Sequence, residues 1–304
     1  MIEIKNLKKC FDTITAVNDI SLNIRENETF GLIGTNGAGK STLLRMICDI
    51  YKPDQGEVIV DGENIENNSK MKQNIFYISD EQYFFQNANP ADMIQYYMQY
   101  YPNFDNKRCF SLLDSFGLNP KRKLSGYSKG MRKQFYMICG ISSGVKYLIC
   151  DETFDGLDPV MRQAVKSLIG NDMMERGLTT IISSHNLREL EDICDCIGLL
   201  HQGGILLSDE LENLKSNLHK VQCVFKEDLP DPLSSSNIPD GIKIIYKEER
   251  GRLLTITLEG NRELINSWFQ SFNPIFYEMI PLTLEEIFIS KTKEAGYNVK
   301  SIIF

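Results

Sequence analysis

Three short stretches of this sequence carry residue types spaced for chemistry. The first is Gly34-Thr35-Asn36-Gly37-Ala38-Gly39-Lys40-Ser41-Thr42, between the apolar run Phe30–Ile33 and Leu43-Leu44-Arg45-Met46-Ile47. Strand, glycine-rich loop and helix in that order make a phosphate-binding loop. The glycines let successive backbone N–H groups turn inward onto an anion, and the helix adds the positive end of its dipole. Lys40 is then placed to reach the β- and γ-phosphates, and the Ser41 hydroxyl to bind Mg²⁺. The second stretch, Asp151-Glu152, closes the apolar run Val145–Cys150. Open α/β sheets bind ligands at the carboxyl ends of such strands. An acid there can hold Mg²⁺ through its water shell, and Glu152 beside it can polarise the water that attacks a γ-phosphate. Taken alone, two carboxylates would read as a solvated strand end; after a phosphate loop they read as chemistry. The third stretch is Tyr127-Ser128-Lys129-Gly130-Met131, with Ser128 as the N-cap of a helix running from about Lys129 to Ile141.

The elements that must position these groups follow from periodicity. Residues 2–7 alternate as a half-buried strand, and Ser21–Ile24 and Thr29–Ile33 read as two more. Phe11 falls in the loop before that pair, where an aromatic can stack on an adenine or simply join the core. Val58–Val60 and Ile75–Ile78 are further short strands, the latter ending at Ser79-Asp80-Glu81. Asn89–Tyr101 is a helical stretch with four tyrosines and two methionines. Part of that surface must be core, and the same residue types favour an adaptable docking surface. A second helix closes at Leu112–Phe116, ended by Gly117. Val145–Cys150, Thr179–Ser183 and Ile197–Leu200 are nearly continuous apolar runs, as strands buried on both faces require. Alternation with helices makes them a parallel sheet with right-handed crossovers. Composition shifts after about Leu218. Strands at Val221–Phe225, Ile242–Tyr246 and Leu253–Leu258, an amphipathic helix Leu264–Phe272 with Trp268, and a helix Ile287–Thr292 behind the capping-box spacing Thr283–Glu286 predict a separate small α+β domain.

Composition narrows the class. The chain has 304 residues, room for one large domain and a small one. A net charge of −8 argues against a nucleic-acid backbone as main partner, so no nucleic acid is expected. No apolar run reaches the roughly 18 residues of a spanning helix, and Met1–Lys5 lacks the apolar core of a signal peptide. The eight cysteines are scattered through hydrophobic segments, and only Cys194 and Cys196 cluster, without a second pair at zinc-ligand spacing. Buried reduced thiols in a cytosolic protein are the reading. His201 and His219 match no motif.

With these motifs in place the sequence resembles the ATP-binding-cassette ATPases, densely over residues 1–215 and loosely beyond. Gly34–Thr42 resembles the Walker A loop and Asp151-Glu152 the Walker B acid with its catalytic glutamate. Gly156-Leu157-Asp158 resembles the D-loop, and His185 the switch histidine. Tyr127–Met131 resembles the signature usually written LSGGQ; Leu124-Ser125-Gly126 is a decoy, because Ser128 has the right distance to Asp151 and starts the helix. Phe11 falls where the family has its adenine-stacking aromatic. The resemblance implies an α/β fold, a P-loop cassette with a RecA-like parallel-sheet core, an antiparallel β subdomain and a helical subdomain at about 87–143, followed by a small C-terminal α+β domain over 220–304. It implies ATP held by Phe11, Gly34, Asn36, Gly37, Ala38, Gly39, Lys40, Ser41, Thr42 and Asp158, with Ser128 and Gly130 acting from a second chain in a head-to-tail dimer. Mg²⁺ would be held by Ser41, Asp80 and Asp151, with Glu152 and His185 catalytic.

Three departures stand out. Asp80 (or Glu81) occupies the usual place of the Q-loop glutamine. Thr153-Phe154 replaces Pro-Thr after the glutamate, and the signature has Lys129 for glycine and Met131 for glutamine. Such signatures, with a Leu-Glu-Glu-Ile-Phe segment like Leu284–Phe288, are similar to the ABC-2 type exporters. The expectation is an ATPase subunit at the cytoplasmic face of the membrane, working with a separate ABC-2 type permease and a second ATPase subunit, homo- or heteromeric. The competing reading is a soluble cassette ATPase acting on ribosomes or nucleic acid without a permease. Ribosome-acting members typically pair two cassettes in one chain and the repair type inserts a long coiled coil; neither feature is present.

Overall fold

The computed structural model describes residues 1–154, 157–226, 233 and 238–294, and of 291–294 the backbone only. From the amino end, β1 (Ile2–Phe11) and β2 (Ile14–Ile24) form a hairpin, and β3 (Thr29–Gly34) delivers the chain into the phosphate loop and α1 (Lys40–Ile47). β4 (Gln55–Val60) and β5 (Glu63–Asn64) complete a four-stranded antiparallel sheet in the order β2-β1-β4-β5. After α2 (Ser69–Lys72) and β6 (Ile75–Ile78) comes a helical excursion of α3 (Pro90–Tyr100), α4 (Asn106–Ser115) and α5 (Lys129–Ser142). The chain re-enters as β7 (Tyr147–Asp151), α6 (Pro159–Arg176), β8 (Thr179–Ser184), α7 (Leu187–Glu191), β9 (Cys196–His201) and β10 (Gly204–Glu210).

Six strands form the central sheet in the order β10-β9-β3-β8-β7-β6, and the pairings from β9 to β6 are parallel. Every residue of β3, β7, β8 and β9 is buried, as a sheet covered on both faces requires. Leu32, Leu43, Leu44, Tyr147, Ile149 and Ile181 share one core cluster with the apolar side of the hairpin, Ile2, Ile4, Leu7 and Val17. Register then sets the site: Asp151 lies opposite Ser183 and Ile33 opposite Ser184, so the carboxyl ends of β3, β8 and β7 finish together.

β1 and β2 both run longer than periodicity predicts. β1 reaches Phe11, which pairs with Ile14, so Phe11 ends a strand instead of lying in a loop. Register shifts between Ile4 and Cys10 break the alternation that a sequence pattern relies on. In α3, Asn89 and Asp92 exchange a capping box and Pro90 opens the helix. Its tyrosines divide between two jobs: Tyr97 and Tyr101 pack on Phe76 at 5.2 and 5.0 Å between ring centres, while Tyr96 meets Phe85 and Tyr100 at 4.9 and 4.8 Å. Tyr83, Phe85, Met98 and Tyr100 are exposed. The excursion is fastened to α6 by Asp172, fully buried, whose carboxylate takes Arg108 of α4 at 2.6 Å and Arg176 of its own helix at 2.9 Å.

The chain divides into two compact units, Met1–Ser208 and Asp209–Phe304. The second holds α8 (Leu211–Asn217), β11 (Leu218–Val224), β12 (Lys243–Arg250), β13 (Leu253–Glu259), α9 (Arg262–Ser271), β14 (Phe276–Ile280) and α10 (Leu284–Glu294). Its strands form one antiparallel sheet, β12-β13-β11-β14. Ile265, Trp268 and Phe269 of α9 pack on Val221, Cys223, Ile256 and Leu258. Thr283 and Glu286 make the reciprocal bonds of a capping box, at 3.0 and 3.3 Å, and α10 begins three residues earlier than its apolar pattern suggests. All eight cysteines are free thiols, six of them buried.

Candidate functional site

The phosphate loop is shaped by backbone constraints before any side chain acts. Gly39 has φ of 103°, and a Cβ there would stand 2.2 Å from the Ala16 carbonyl oxygen. Only glycine fits that place. No side chain caps α1, so its first-turn N–H groups are left to the loop. The loop from Asn36 to Thr42, with Ile14, Ala16 and Glu152, lines a cleft of about 440 Å³.

Lys40 is 5% exposed. Its ammonium donates to the carbonyls of Gly34 at 2.7 Å and Thr35 at 3.3 Å, and stands 3.8 Å from Glu152 Oε1. Burial lowers its pKa, and the carboxylates of Glu152 and Asp151 oppose that shift. Its bonded partners in the loop are neutral carbonyls, so the charge is available to an incoming anion.

Asp151 is 1% exposed and accepts three hydroxyls: Ser41 Oγ at 3.0 Å and Ser183 Oγ at 2.7 Å on Oδ1, and the Tyr77 phenol at 3.0 Å on Oδ2. Burial and the Asp151 charge both push the Tyr77 phenol up, which keeps it a donor. Ser41 and Asp151 therefore present two hard oxygen donors side by side. Among the described residues no group of three or more His, Cys, Asp or Glu could hold a metal. Mg²⁺ keeps several waters and typically takes one or two protein oxygens together with phosphates, and this donor set fits that habit.

Glu152 adopts φ of +50°, the left-handed region that a side chain rarely enters. Its N–H donates to Ser183 O at 3.1 Å and Oγ at 3.0 Å, and its carbonyl accepts from Lys133 Nζ at 2.7 Å. The carboxylate lies between Lys40 and His185, whose Nδ1 is also 3.8 Å away. Gly34, Asn36–Thr42, Asp151, Glu152 and His185 are thus brought to one edge of the sheet.

Asp80 is not brought to Ser41. Its Oδ1 is spent on Lys133 at 3.0 Å and Lys129 at 3.5 Å. Burial pushes its carboxyl up, but the hydrogen bond and charge of Lys133, aided by Lys129, outweigh that and hold it below the ordinary value. Phe11 is exposed beside the hairpin turn, edge-on to Tyr51 at 5.5 Å, and Ile14 takes the place nearer the loop. Ser128 is exposed and caps α5 through a bond from Met131 N at 3.2 Å, while Leu124–Gly126 forms a separate 3₁₀ turn. Gly130 lies in the first turn of α5, and Asp158 caps α6 by accepting from Val160 and Met161. Neither they nor Ser128 line the cleft. Gly156 lies outside the described residues.

Tyr77, Ser183 and Lys133 are site neighbours that the motif reading passes over. Each carried a faint signal: a hydroxyl in an otherwise apolar strand, or a lysine on the core-facing side of a helix.

Comparison with known proteins gives the family and the fold. Residues 17–155 match the ABC transporter family. The ABC transporter ATP-binding protein YtrB of Bacillus subtilis is 30% identical over 291 residues, spanning 96% of this chain and 98% of that one. The bacitracin transport ATP-binding protein BcrA of Enterococcus faecalis is 33% identical, covering 75% of this chain and 73% of its own. The lantibiotic transport protein SrtF of Streptococcus pyogenes is 31% identical over 75% of this chain and 99% of its own. Among solved structures, an ATP-binding subunit of an ABC transporter superposes with a TM-score of 0.66 at 23% identity, over 71% of this chain and 92% of that one. A dimeric ATP-binding cassette in a post-hydrolysis state with ADP and Pi gives 0.62 at 20% identity, over 69% and 99%. At these identities the structural likeness speaks to the fold.

Proposed function

The chain belongs to the ABC transporter family of ATP-binding proteins, an ATPase family, and from that premise we propose that it powers a membrane exporter whose permease is a separate polypeptide. Among the described residues no helix is long and apolar enough to cross a membrane, which fits a subunit docked at the cytoplasmic face. The permease is of the ABC-2 type, in keeping with the bacitracin and lantibiotic transport relatives. The exposed aromatics Tyr83, Phe85 and Tyr100 supply a surface of the composition interfaces favour.

In the proposed reaction the loop N–H groups and Lys40 cradle the ATP phosphates, and Phe11, with Ile14 beside it, borders the base. Ser41 and Asp151 hold Mg²⁺, which supplies charge neutralisation at the phosphates. Glu152 takes the proton of the attacking water, and His185 faces the γ-phosphate. One observation carries the reading: Lys40, Ser41 and Glu152 gather at the cleft while Ser128 and Gly130 stand outside it on the end of α5. The site is half of a pair, completed by Ser128 and Gly130 of a second ATPase chain.

Affinity capture of the tagged chain from native membranes tests the export reading. Recovery of an integral membrane protein is the expected result. Recovery with ribosomes and no membrane protein would favour a soluble cassette instead.

A further inference from the structure

A lysine with no exposed surface needs its ammonium paired. Lys133, in the second turn of α5, is 0% exposed, and its Nζ donates to the Glu152 carbonyl at 2.7 Å and stands 3.0 Å from Asp80 Oδ1. Glu152 is the residue whose backbone most needs holding. Its φ of +50° lies in the left-handed region, which is strained for a residue with a side chain. Ser183 fixes the amide side of that residue through its carbonyl and hydroxyl, and Lys133 fixes the carbonyl side.

We infer that Lys133 is a positioning residue for the Glu152 base, and that Asp80 acts on the same base through it. Lys133 holds the left-handed turn from which the Glu152 carboxylate is presented between Lys40 and His185. Asp80 supplies a counter-charge to this enclosed ammonium, which a glutamine at that position would not. The carboxylate at the Q-loop position is therefore matched by a lysine on the signature helix. Lys129, exposed and 3.5 Å from the same oxygen, adds a second, weaker hold. Displacing the segment after β6 takes the Asp80 carboxylate away from Lys133 and loosens its hold on the Glu152 carbonyl, so the three residues connect the segment after β6 to the reacting water. This rests on Glu152 being the base.

Steady-state ATPase kinetics on the full chain test the inference, using Lys133→Met, Lys133→Arg, Asp80→Asn and the double variant Asp80→Asn/Lys133→Met. Lys133→Met is expected to lower kcat at least about tenfold with KM for ATP within about threefold of wild type, and Lys133→Arg to recover part of the loss. Asp80→Asn should lower kcat less, and the double variant should be no slower than Lys133→Met alone, because both changes act through one link. Wild-type kcat in Lys133→Met, a loss confined to KM, or losses that multiply in the double variant would overturn the inference. Should Lys133→Met fail to fold, Asp80→Asn decides alone: its partner lysine is kept and its own carboxyl is partly exposed, so an unchanged kcat sinks the link. Glu152→Gln, run alongside, separates the two readings. If it abolishes turnover while Lys133→Met does not, only the positioning role fails; if it leaves turnover intact, the assignment of the base has failed.

Discussion

The two sheets of this molecule treat polar residues in opposite ways. In the parallel sheet, whole strands are buried, and the groups that could do chemistry collect at one edge: Asp151, Glu152, Ser183 and His185 at the strand ends, Lys40 at the helix that follows. In the C-terminal sheet, buried and partly exposed residues alternate along β11, and the strands are not buried throughout. One face meets Trp268 and Phe269, and the other borders a cleft of about 380 Å³ that includes Lys220, Glu248, Arg250 and Glu286. There the charges cancel in pairs, Lys220 with Glu286 at 2.6 Å and Arg250 with Glu248 at 2.9 Å. Lys40, by contrast, is bonded to neutral carbonyls, and Glu152 stands 3.8 Å from Lys40 Nζ and from His185 Nδ1. The two clefts are of similar size, and they differ in how closely their charges pair.

The contrast can be broken most decisively at Glu152. Glu152→Gln is expected to cut kcat by about 10²–10⁴-fold, the usual worth of a general base, while the protein still retains ATP. Steady-state turnover and ATP retention after gel filtration check both halves, and undiminished hydrolysis would refute the assignment. In the other unit the large effect should be on stability alone. Trp268→Ala removes a buried anchor of the α9 face and should cost about 3–5 kcal/mol in that unit's own unfolding transition. ATP affinity, followed by fluorescence titration, should not move; if it does, the two regions share their energetics and the contrast is wrong.

The smallest expected effect sharpens the comparison through pH. Burial pushes the Glu286 carboxyl up, but Lys220 and the Thr283 amide outweigh burial and hold it below its ordinary value of 4.5. A depressed carboxyl contributes stability above its unfolded pKa and loses it as pH falls through the folded one. Glu286→Gln should therefore cost less than about 1 kcal/mol at neutral pH, as half-exposed ion pairs do. The difference from wild type should close below pH 4.5, through the lowered folded pKa. Urea titrations at a series of pH values read this directly, and a gap that persists in acid would mean packing, not charge, holds the pair.

Much of the first unit was legible because its rules are local. The phosphate loop, the buried strand ending in Asp151-Glu152 and the Ser128 cap each follow from a few adjacent residues. What escaped depends on register or on distant contacts. Phe11 reads as a loop residue in the sequence because bulges in β1 hide the pairing that carries the strand to it. Tyr77 and Ser183 belong to the site only because strands β6 and β8 flank β7, which no local pattern states. Asp80 was expected near Mg²⁺ from the place it fills in the family pattern; its bond to Lys133, more than fifty residues away in sequence, could not be seen there. In the C-terminal unit, β14 lacks the steady alternation that marks a half-buried strand in a sequence.

Asp172 gives the helical excursion an attachment of a particular kind. Arg108 reaches it from α4, but Arg176, one turn along in the same helix as Asp172, holds the same carboxylate. Were α4 to lift away, the buried carboxylate would keep a guanidinium partner and no charge would be stranded. A tie with that built-in spare can be undone and remade at low energetic cost, like a latch and unlike a weld.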